Sequence, residues 1–588
     1  MRLRNTLICS VCLILAGLLL TLASSRLESI HKMRLEKGLV SNVEPLENAP
    51  PSLAFATVAM GAFRGLIVDI LWMRADKLKE EGQFFDAKQL AEWITVLQPR
   101  FASVWDFQAW NMAYNISVAI PASQWEERWR WVRNGYELLR DKGIEKNPRS
   151  ILLYRSLGWI FQHKISGVSD DCHRHYKREL ALSMRQLLDY PETNEYFEKL
   201  IGSPKSFSEV TQDAEVAGFV EELKTTDDIF KDEGKFARNY LSLRQTPKKF
   251  KPESFEVVDR FRDTGVLEKL NLFARAQELR KTWKFDIEFM HKLNKKYGPV
   301  RIDDPNDRLP LNWEHPATHA IYWAERGLEV AGKKSEYSIE EKNTDRVVFH
   351  SLQQLYRTGK LIIYPTQDAL PTVFLRPDLR MFDSCNELWM NKILKYEELE
   401  EGNPKAVTGG HKNFLINAVW SFYQVGHIAK AAQIYQLLRR RHSTGPHAGD
   451  FSAPLSTFVR KRMVEELKNI GDKDAVEQMI MSLREGFFQY AVHEDEEAFA
   501  REKWAREIYD LYQKQMGIDE PDRMGLPNFD RIKFEAFVGF MNDPFYPQEM
   551  RARLLGRIKL ERPDLFEQLT KQKDIFIQET QKQQEPSP

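Results

Sequence analysis

One helical template occurs twice in this chain, in segments that lie more than three hundred residues apart. Each copy opens at a glycine, Gly82 or Gly426, and continues with apolar residues at the spacing of one helix face. The apolar positions are Phe84, Ala87, Leu90, Ala91, Ile94 and Leu97 in the first copy, and Ile428, Ala431, Ile434, Tyr435 and Leu438 in the second. Pro99 ends the first copy, because proline does not continue a helix. A template shared over this distance predicts repeated helical units.

A second pattern accompanies the template. Trp105 and Ala109 follow Pro99 by 6 and 10 residues, and Tyr154 and Gly158 follow Pro148 by the same distances. With these residues the chain resembles the tetratricopeptide repeat (TPR) family over about residues 67–164 and 413–441. The resemblance implies structural roles for Gly82, Ala87, Pro99, Gly158, Gly426 and Ala431. It also implies a right-handed stack of helix pairs with a protein-binding groove, and no catalytic residues.

These patterns predict an all-α protein, a TPR-like helix-pair solenoid that a helical insertion interrupts. The predicted organisation is an N-terminal anchor (1–25), a linker (26–52), TPR-like repeats (53–165), an irregular helical insertion (166–312), further repeats (313–450), a C-terminal helical region (451–570) and a disordered tail (571–588). Strand-like runs are confined to VVFHSL, KLIIYP and PTVFLRP, between Val347 and Pro377. These runs predict a small hairpin.

The N-terminus carries an apolar run, Thr6 to Ser25, with no charge in 20 positions. This length matches a bilayer core of about 30 Å, and Arg2 and Arg4 precede it, so we expect a transmembrane or signal-anchor helix. Cleavage after the run is the alternative. The short basic N-terminus predicts a single-pass protein whose body lies outside the cytoplasm, although basic residues that follow the run, beginning with Arg26, oppose that orientation.

A second apolar stretch extends from Leu53 to Met73 and contains Arg64 and Asp69 near its middle. A charge at the centre of a membrane span costs about 2.5–3.5 kcal/mol on insertion scales. We therefore expect a buried or interfacial helix here rather than a second span.

Charge and motif content exclude several functional classes. The chain has 85 Lys plus Arg and 85 Asp plus Glu, so the basic surface expected of a nucleic-acid-binding protein is absent and no such partner is predicted. The sequence contains neither a phosphate-binding glycine loop nor a nucleophile-elbow motif. No cofactor is predicted.

A polar constellation lies in the sequence HKISGVSDDCHRHY, and its members are His163, Asp170, Asp171, Cys172, His173 and His175. Imidazole, thiolate and carboxylate groups bind zinc, so Cys172, His173 and His175 are candidate metal ligands. Their spacing matches no known zinc signature, and a polar turn capped by Asp170 or Asp171 is the simpler interpretation.

A second histidine pair, His315 and His319, has the i, i+4 spacing that can chelate a metal from one helix face. Pro316 suits the first helical position, which would place His315 just before the helix. A capped helix start packed against aromatic residues is therefore the alternative to a metal site.

Tryptophan is concentrated near the clearest repeats, at Trp93, Trp105, Trp110, Trp125, Trp129, Trp131 and Trp159. Rings at helical spacing usually fill solenoid cores, but binding surfaces are also rich in tryptophan. We take Trp105, Trp110, Trp125 and Trp129 as candidate contacts with an unknown protein partner. The expected function is a membrane-anchored TPR-like scaffold in an envelope-associated complex. The alternatives are a metal-binding protein or enzyme that uses the histidine clusters, and an envelope glycan-binding module.

Overall fold

The computed structural model describes residues 64–584 except 189–192, 244, 303, 305, 332–337, 367–369, 399–403, 444–448, 450, 469–471 and 517–525, together with residues 15, 29, 32 and 33. The described residues are mostly helical, and their sheet is one two-stranded hairpin. The predicted all-α class is therefore confirmed. Contacts within the chain divide it into two compact units, residues 1–108 and 109–588.

The first unit contains helices α1 (Arg64–Glu80) and α2 (Phe84–Leu97), which pack against each other. Gly82 lies between them with a φ of +78°, a conformation that glycine adopts without the steric cost paid by other residues. Ala87 is fully buried on the inner face of α2, and Pro99 follows the end of that helix. The glycine, alanine and proline thus occupy the turn, the packed face and the exit of this helix pair.

The predicted anchor and linker, residues 1–52, lie outside the described residues except for four single positions. The second apolar stretch is described only from Arg64, where α1 begins. Among the helices that the structure describes, none combines the length and the apolar character needed to cross a membrane.

Helix α3 (Ala102–Trp110) includes the division between the units. The next helices of the second unit are α4 (Ser117–Ala119), α5 (Trp125–Glu137), α6 (Ile144–Lys146), α7 (Ile151–Trp159), α8 (His173–Leu188), α9 (Glu195–Ile201), α10 (Phe207–Val210), α11 (Ala214–Thr226), α12 (Glu233–Ser242), α13 (Pro252–Arg260), α14 (Gly265–Lys281), α15 (Ile287–Tyr297), α16 (Pro316–Ala331) and α17 (Ile339–Thr358). After the hairpin come α18 (Phe382–Glu398), α19 (Pro404–Gln424), α20 (Ile428–His442), α21 (Leu455–Lys468), α22 (Asp472–Ala491), α23 (Asp495–Met516), α24 (Phe529–Asn542), α25 (Gln548–Glu561) and α26 (Pro563–Gln584).

Three π-helical segments widen the early helices of the second unit, at Asn111–Ile116, Leu138–Gly143 and Ile160–Ile165. A π turn bonds i to i+5, contains an extra residue and is frequent at functional sites. The first segment joins α3 to α4, the second joins α5 to α6, and the third extends α7. Because three such turns lie within 55 residues, this region is a candidate for a functional site.

Helix α7 packs against α16 and α17, although 156 residues separate its end from the start of α16. Gly158 permits this approach, because a Cβ at that position would lie 3.1 Å from the Ala320 carbonyl oxygen. Between these helices in sequence, residues 207–274 enclose a core of their own that includes Phe219, Phe230 and Phe236. The chain thus leaves one helix stack, forms a separate core, and returns.

The second template copy also forms a helix pair, α19 and α20. Gly426 lies in the turn with a φ of +83°, and Ala431 is fully buried. A Cβ at Gly426 would lie 3.2 Å from the Ala500 Cβ, whereas a Cβ at Gly82 would have no atom within 4 Å. The two turns therefore share a backbone conformation but differ in packing.

The hairpin pairs β1 (Lys360–Tyr364) with antiparallel β2 (Thr372–Arg376), so two of the three predicted strands are found. The third prediction, VVFHSL, was wrong because these residues lie within α17. Ser338 and Glu341 form a capping box at the start of that helix, and Leu352 and Leu355 continue the buried face that begins at Val348. Helical periodicity over 20 residues thus overrides the local β propensity.

A cluster of aromatic rings, which we call the Phe285 cluster, lies in the core of the second unit. Phe285 is central, with ring centroids 4.6–6.0 Å from those of its neighbours. The other members are Trp283, Trp313, His319, Tyr322 and Trp323, and all six side chains are buried. The cluster joins the segment before α15 to helix α16.

Candidate functional site: an aromatic patch beside a buried ionic cluster

Four rings form a continuous row on the second unit, which we call the aromatic patch: Trp110, Tyr114, Trp159 and His163. Trp110 stacks on Tyr114 with centroids 4.0 Å apart, and Trp159 stacks on His163 at 5.0 Å. Tyr114 contacts His163 at 5.8 Å and so joins the two pairs. Trp110 is 44% exposed and Trp159 is 37% exposed. Large rings held in contact at a surface are typical of protein-binding sites.

The π-helical segments explain this arrangement. Trp110 and Trp159 are the residues immediately before the first and third segments, and Tyr114 and His163 lie within those segments. Where an α turn passes into a π turn, residues i and i+4 lie almost directly above each other, which favours stacking. The two segments also contact each other. The same local geometry, used twice, therefore produces one row of rings.

An ionic cluster centred on Asp170 lies behind the patch. Lys164 Nζ is 2.6 Å from Asp170 Oδ2, and Arg128 Nη2 is 3.4 Å from Oδ1. The Tyr176 hydroxyl and the Cys172 backbone N–H donate to Oδ1 at 3.3 and 2.8 Å. Lys164 Nζ also lies 5.4 Å from the centre of the Tyr114 ring. Lys164 therefore contacts both the patch and the cluster.

The charges in this cluster are buried but compensated. Burial acts to raise the pKa of Asp170, but Lys164, the Cys172 N–H and Arg128 outweigh it and hold that pKa below its ordinary value. Burial lowers the pKa of Lys164, and the hydrogen bond and charge of Asp170 oppose that shift. Removing a buried carboxylate that has several donors strongly destabilises the fold, because its cationic partners would remain buried and unpaired. The cluster thus rigidly supports the segment that carries His163.

Lys177 contrasts with Lys164, because it is fully buried and has no ion pair among the described residues. Its Nζ donates to the Gly167 carbonyl at 2.7 Å and lies 2.9 Å from His173 Nδ1. Burial, reinforced by Arg174, lowers the pKa of Lys177 to about 7. Burial, Lys177 and Arg174 lower the pKa of His173 to about 4. His173 is therefore neutral at pH 7 and accepts a hydrogen bond from the lysine.

His175 and Cys172 of the polar constellation also have structural partners. His175 stacks on Trp125 at 4.7 Å, and the Arg178 guanidinium lies over the same Trp125 ring. The Cys172 thiol is buried, lies 3.5 Å from the Ala122 carbonyl oxygen, and burial raises its pKa. Asp170 accepts the Cys172 N–H just before α8, as the predicted polar turn requires. Within the described part of the chain, no three His, Cys, Asp or Glu side chains form a group that would hold a metal.

Two of the tryptophans predicted as partner contacts are buried. Trp105 is 6% exposed and its Nε1 donates to the Pro99 carbonyl, while Trp129 is 9% exposed and stacks on Tyr176. Trp125 is half-buried between His175 and Arg178. Of the four predicted contacts, Trp110 is the most exposed, at 44%. Sequence reasoning missed Tyr114 and the supporting Lys164 and Arg128, and it included Trp159 in the Trp-rich stretch without taking it as a contact.

The second histidine pair lies in the core. His315 precedes α16, and its Nδ1 accepts the Ala317 N–H at 3.1 Å. His319 Nε2 lies 2.9 Å from the Trp313 carbonyl oxygen, and its ring belongs to the Phe285 cluster. Burial, with the nearby charge of Lys177, lowers the pKa of His315 to about 3, and burial lowers that of His319 to about 4. Both rings are neutral at pH 7 and fully buried, so the structure places them in the helix start and its aromatic packing.

Comparison with known proteins does not identify this arrangement. No family model matches the chain, and no curated protein is found to be related to it. We therefore infer the function from the residues described above.

Proposed function

We propose that this chain is a membrane-anchored, helical-repeat scaffold that binds a protein partner through the aromatic patch. The observation that carries the proposal is the row of contacting rings at Trp110, Tyr114, His163 and Trp159, in which the two tryptophans are partly exposed to solvent. Ring stacking restricts these side chains before binding, which reduces the entropy lost when a partner docks. The ionic cluster supports the proposal because Lys164 fixes the segment beneath the rings.

The TPR-like solenoid belongs to the same proposal. Gly82 and Gly426 open two helix pairs with the same backbone conformation, and Gly158 allows α7 to pack on the α16–α17 pair. Helix pairs that stack in this way form extended concave binding surfaces. We assign the patch to such a surface, with the segment 166–312 as an insertion between stacked pairs.

The membrane attachment rests on the uncharged run Thr6 to Ser25. The basic residues Arg2 and Arg4 support an orientation with the body outside the cytoplasm, and the basic residues after the run, beginning with Arg26, oppose it. Protease added to intact spheroplasts should digest residues 64–584 if this orientation holds. If these residues are protected from the protease until the membrane is permeabilised, the body lies on the cytoplasmic side. The scaffold proposal is unchanged by that result.

The decisive experiment is purification of the full chain from native membranes, with partners counted by mass spectrometry. We expect a stoichiometric protein partner with the unchanged chain, and its loss with Trp110→Ala/Trp159→Ala. Phe499→Ala is the matched control, because Phe499 is 47% exposed but lies outside the patch. Equal recovery with all three chains would contradict the assignment to the patch. If no protein partner is found and the unchanged chain, but not the double variant, is retained on envelope glycans, the ligand of the patch is a carbohydrate rather than a protein.

A further inference from the structure

A cleft of about 300 Å³ lies between α15, α16, α17 and α18 of the second unit, away from the residues of the aromatic patch. Its apolar walls come from Tyr297, Leu328, Phe349 and Leu388. Tyr297 and Phe349 are buried, so these rings form a fixed surface rather than a mobile one. A cleft of this size suits a small ligand with a flat or compact apolar body.

Charged side chains surround the apolar walls. Among the described residues that line the cleft, five are basic (Lys296, Lys342, Arg346, Lys392 and Lys395) and three are acidic (Glu325, Asp345 and Glu387). Each carboxylate already has a cationic partner. Lys296 binds Glu325 at 3.0 Å, Lys395 binds Asp345 at 2.8 Å, and Arg308, from outside the cleft, binds Glu387 at 2.6 Å. The cleft therefore retains an excess of positive charge.

Lys392 contributes to this excess of positive charge. Its Nζ lies 3.8 Å from the centre of the Phe349 ring, and it forms no hydrogen bond or ion pair with any described residue. Burial, together with Arg346 and Lys395, lowers the pKa of Lys392, while Asp345 acts in the opposite direction. An ammonium group in this position gains from a bound anion, since no carboxylate of the described residues forms an ion pair with it.

Arg346 adds a second donor on the neighbouring helix. Its Nη1 donates to Asn343 Oδ1 at 3.3 Å, which leaves the other guanidinium N–H groups available to a ligand. We propose that the cleft binds a small organic anion, with its carboxylate or similar anionic group at Lys392 and Arg346 and its apolar body against Phe349 and Leu388. This site is independent of the partner that the aromatic patch binds.

The test uses two fluorinated probes of equal shape, 4-(trifluoromethyl)benzoate and its neutral primary amide. Their binding to the full chain in lipid nanodiscs is followed by ¹⁹F relaxation. We expect saturable binding of the benzoate, weaker binding of the amide, and a loss of at least about tenfold in benzoate affinity with Lys392→Met. A tenfold loss corresponds to about 1.4 kcal/mol. Methionine retains the apolar stem over Phe349, so the cleft should keep its shape.

Lys292→Met is the matched control, because Lys292 is an exposed lysine of α15 that pairs with Glu329 outside the cleft. Its benzoate affinity should equal that of the unchanged chain. Arg346→Gln provides a second variant at an exposed position and should weaken the benzoate even if Lys392→Met folds poorly. Equal affinity of the benzoate and the amide, or of the unchanged chain and the two cleft variants, would overturn the proposal, as would the absence of saturable binding.

Discussion

The aromatic patch and the Phe285 cluster are built from the same kinds of side chain but occupy opposite environments. Each combines tryptophan, tyrosine and histidine rings at centroid distances of 4–6.3 Å. In the cluster all rings are buried, whereas in the patch Trp110 and Trp159 are partly exposed, at 44% and 37%. Ring contact alone therefore does not distinguish a core from a binding surface. The two stacked pairs of the patch each lie along one helix, whereas Phe285, at the centre of the cluster, contacts rings of α16 from the segment before α15.

The largest expected effect comes from removing the centre of the buried region. Phe285→Ala should lower the free energy of unfolding by about 3–5 kcal/mol, because it leaves a cavity among five rings. Urea denaturation followed by circular dichroism measures this loss. A change of less than about 1 kcal/mol would show that the cluster does not behave as a close-packed core.

Asp170→Asn should have the next largest effect, about 3 kcal/mol, because Lys164 and Arg128 would remain buried without their carboxylate. This variant also sharpens the comparison, since Lys164 lies against Tyr114 of the patch. Both stability and partner recovery should fall. A stable variant that still recovers the partner would separate the ionic cluster from the function of the patch.

Histidines in the two regions should differ in their response to acid. The pKa of His319 is about 4 in the folded state and about 6.5 when unfolded, so the unfolded chain binds more protons between these values. The contribution of His319 to stability is therefore complete above pH 6.5 and is lost as the pH falls towards 4. Within this pH range, the free energy of unfolding contributed by His319 falls by up to about 1.4 kcal/mol per pH unit.

The measurement is urea denaturation at several pH values between 4 and 7. His319→Gln should remove this part of the slope, whereas His163→Gln, an exposed patch residue, should change the slope much less. Identical slopes for the unchanged chain and His319→Gln would mean that His319 is protonated as easily in the folded state as in the unfolded state.

The smallest effect on stability is expected at the patch itself. Trp110→Ala and Trp159→Ala should each cost less than about 1 kcal/mol, because much of each ring is already in water. Thermal and urea unfolding of the single variants test this expectation. A loss as large as that of Phe285→Ala would place these rings in the core and remove the basis of the binding proposal.

Local signals in the sequence predicted much of the helical architecture. The glycine and proline that bound α2, and the glycine that precedes α20, act through backbone conformation, which is set by the residue itself. Two hairpin strands were also recognisable from their β-branched runs. The run VVFHSL was misassigned because the helical periodicity of α17, which the capping box of Ser338 and Glu341 helps to start, outweighs the local β propensity of the run.

The candidate site was only partly predictable, because its essential contacts are not local. The sequence pointed to the Trp-rich stretch and to the segment 163–175, but not to their association. Arg128 and Asp170 are 42 residues apart, and no pattern in either segment predicts that they form an ion pair. The spacing of Trp110 and Tyr114, and of Trp159 and His163, is i, i+4 in both cases and was the available signal. Which ring is exposed depends on neighbouring helices.

The π-helical turns have a consequence for how this surface tolerates changes in chain length. A segment such as Asn111–Ile116 contains one residue more than a regular helix needs. Deleting a single residue there would let the turn close with α geometry, so the helix would survive a change that normally disrupts one. If the deleted residue lies between Trp110 and Tyr114, the residues beyond the segment keep their orientation, but Tyr114 then follows Trp110 by three positions instead of four. Tyr114 would then no longer lie over Trp110, so this stretch of helix separates the capacity to fold from the capacity to present an ordered ring surface.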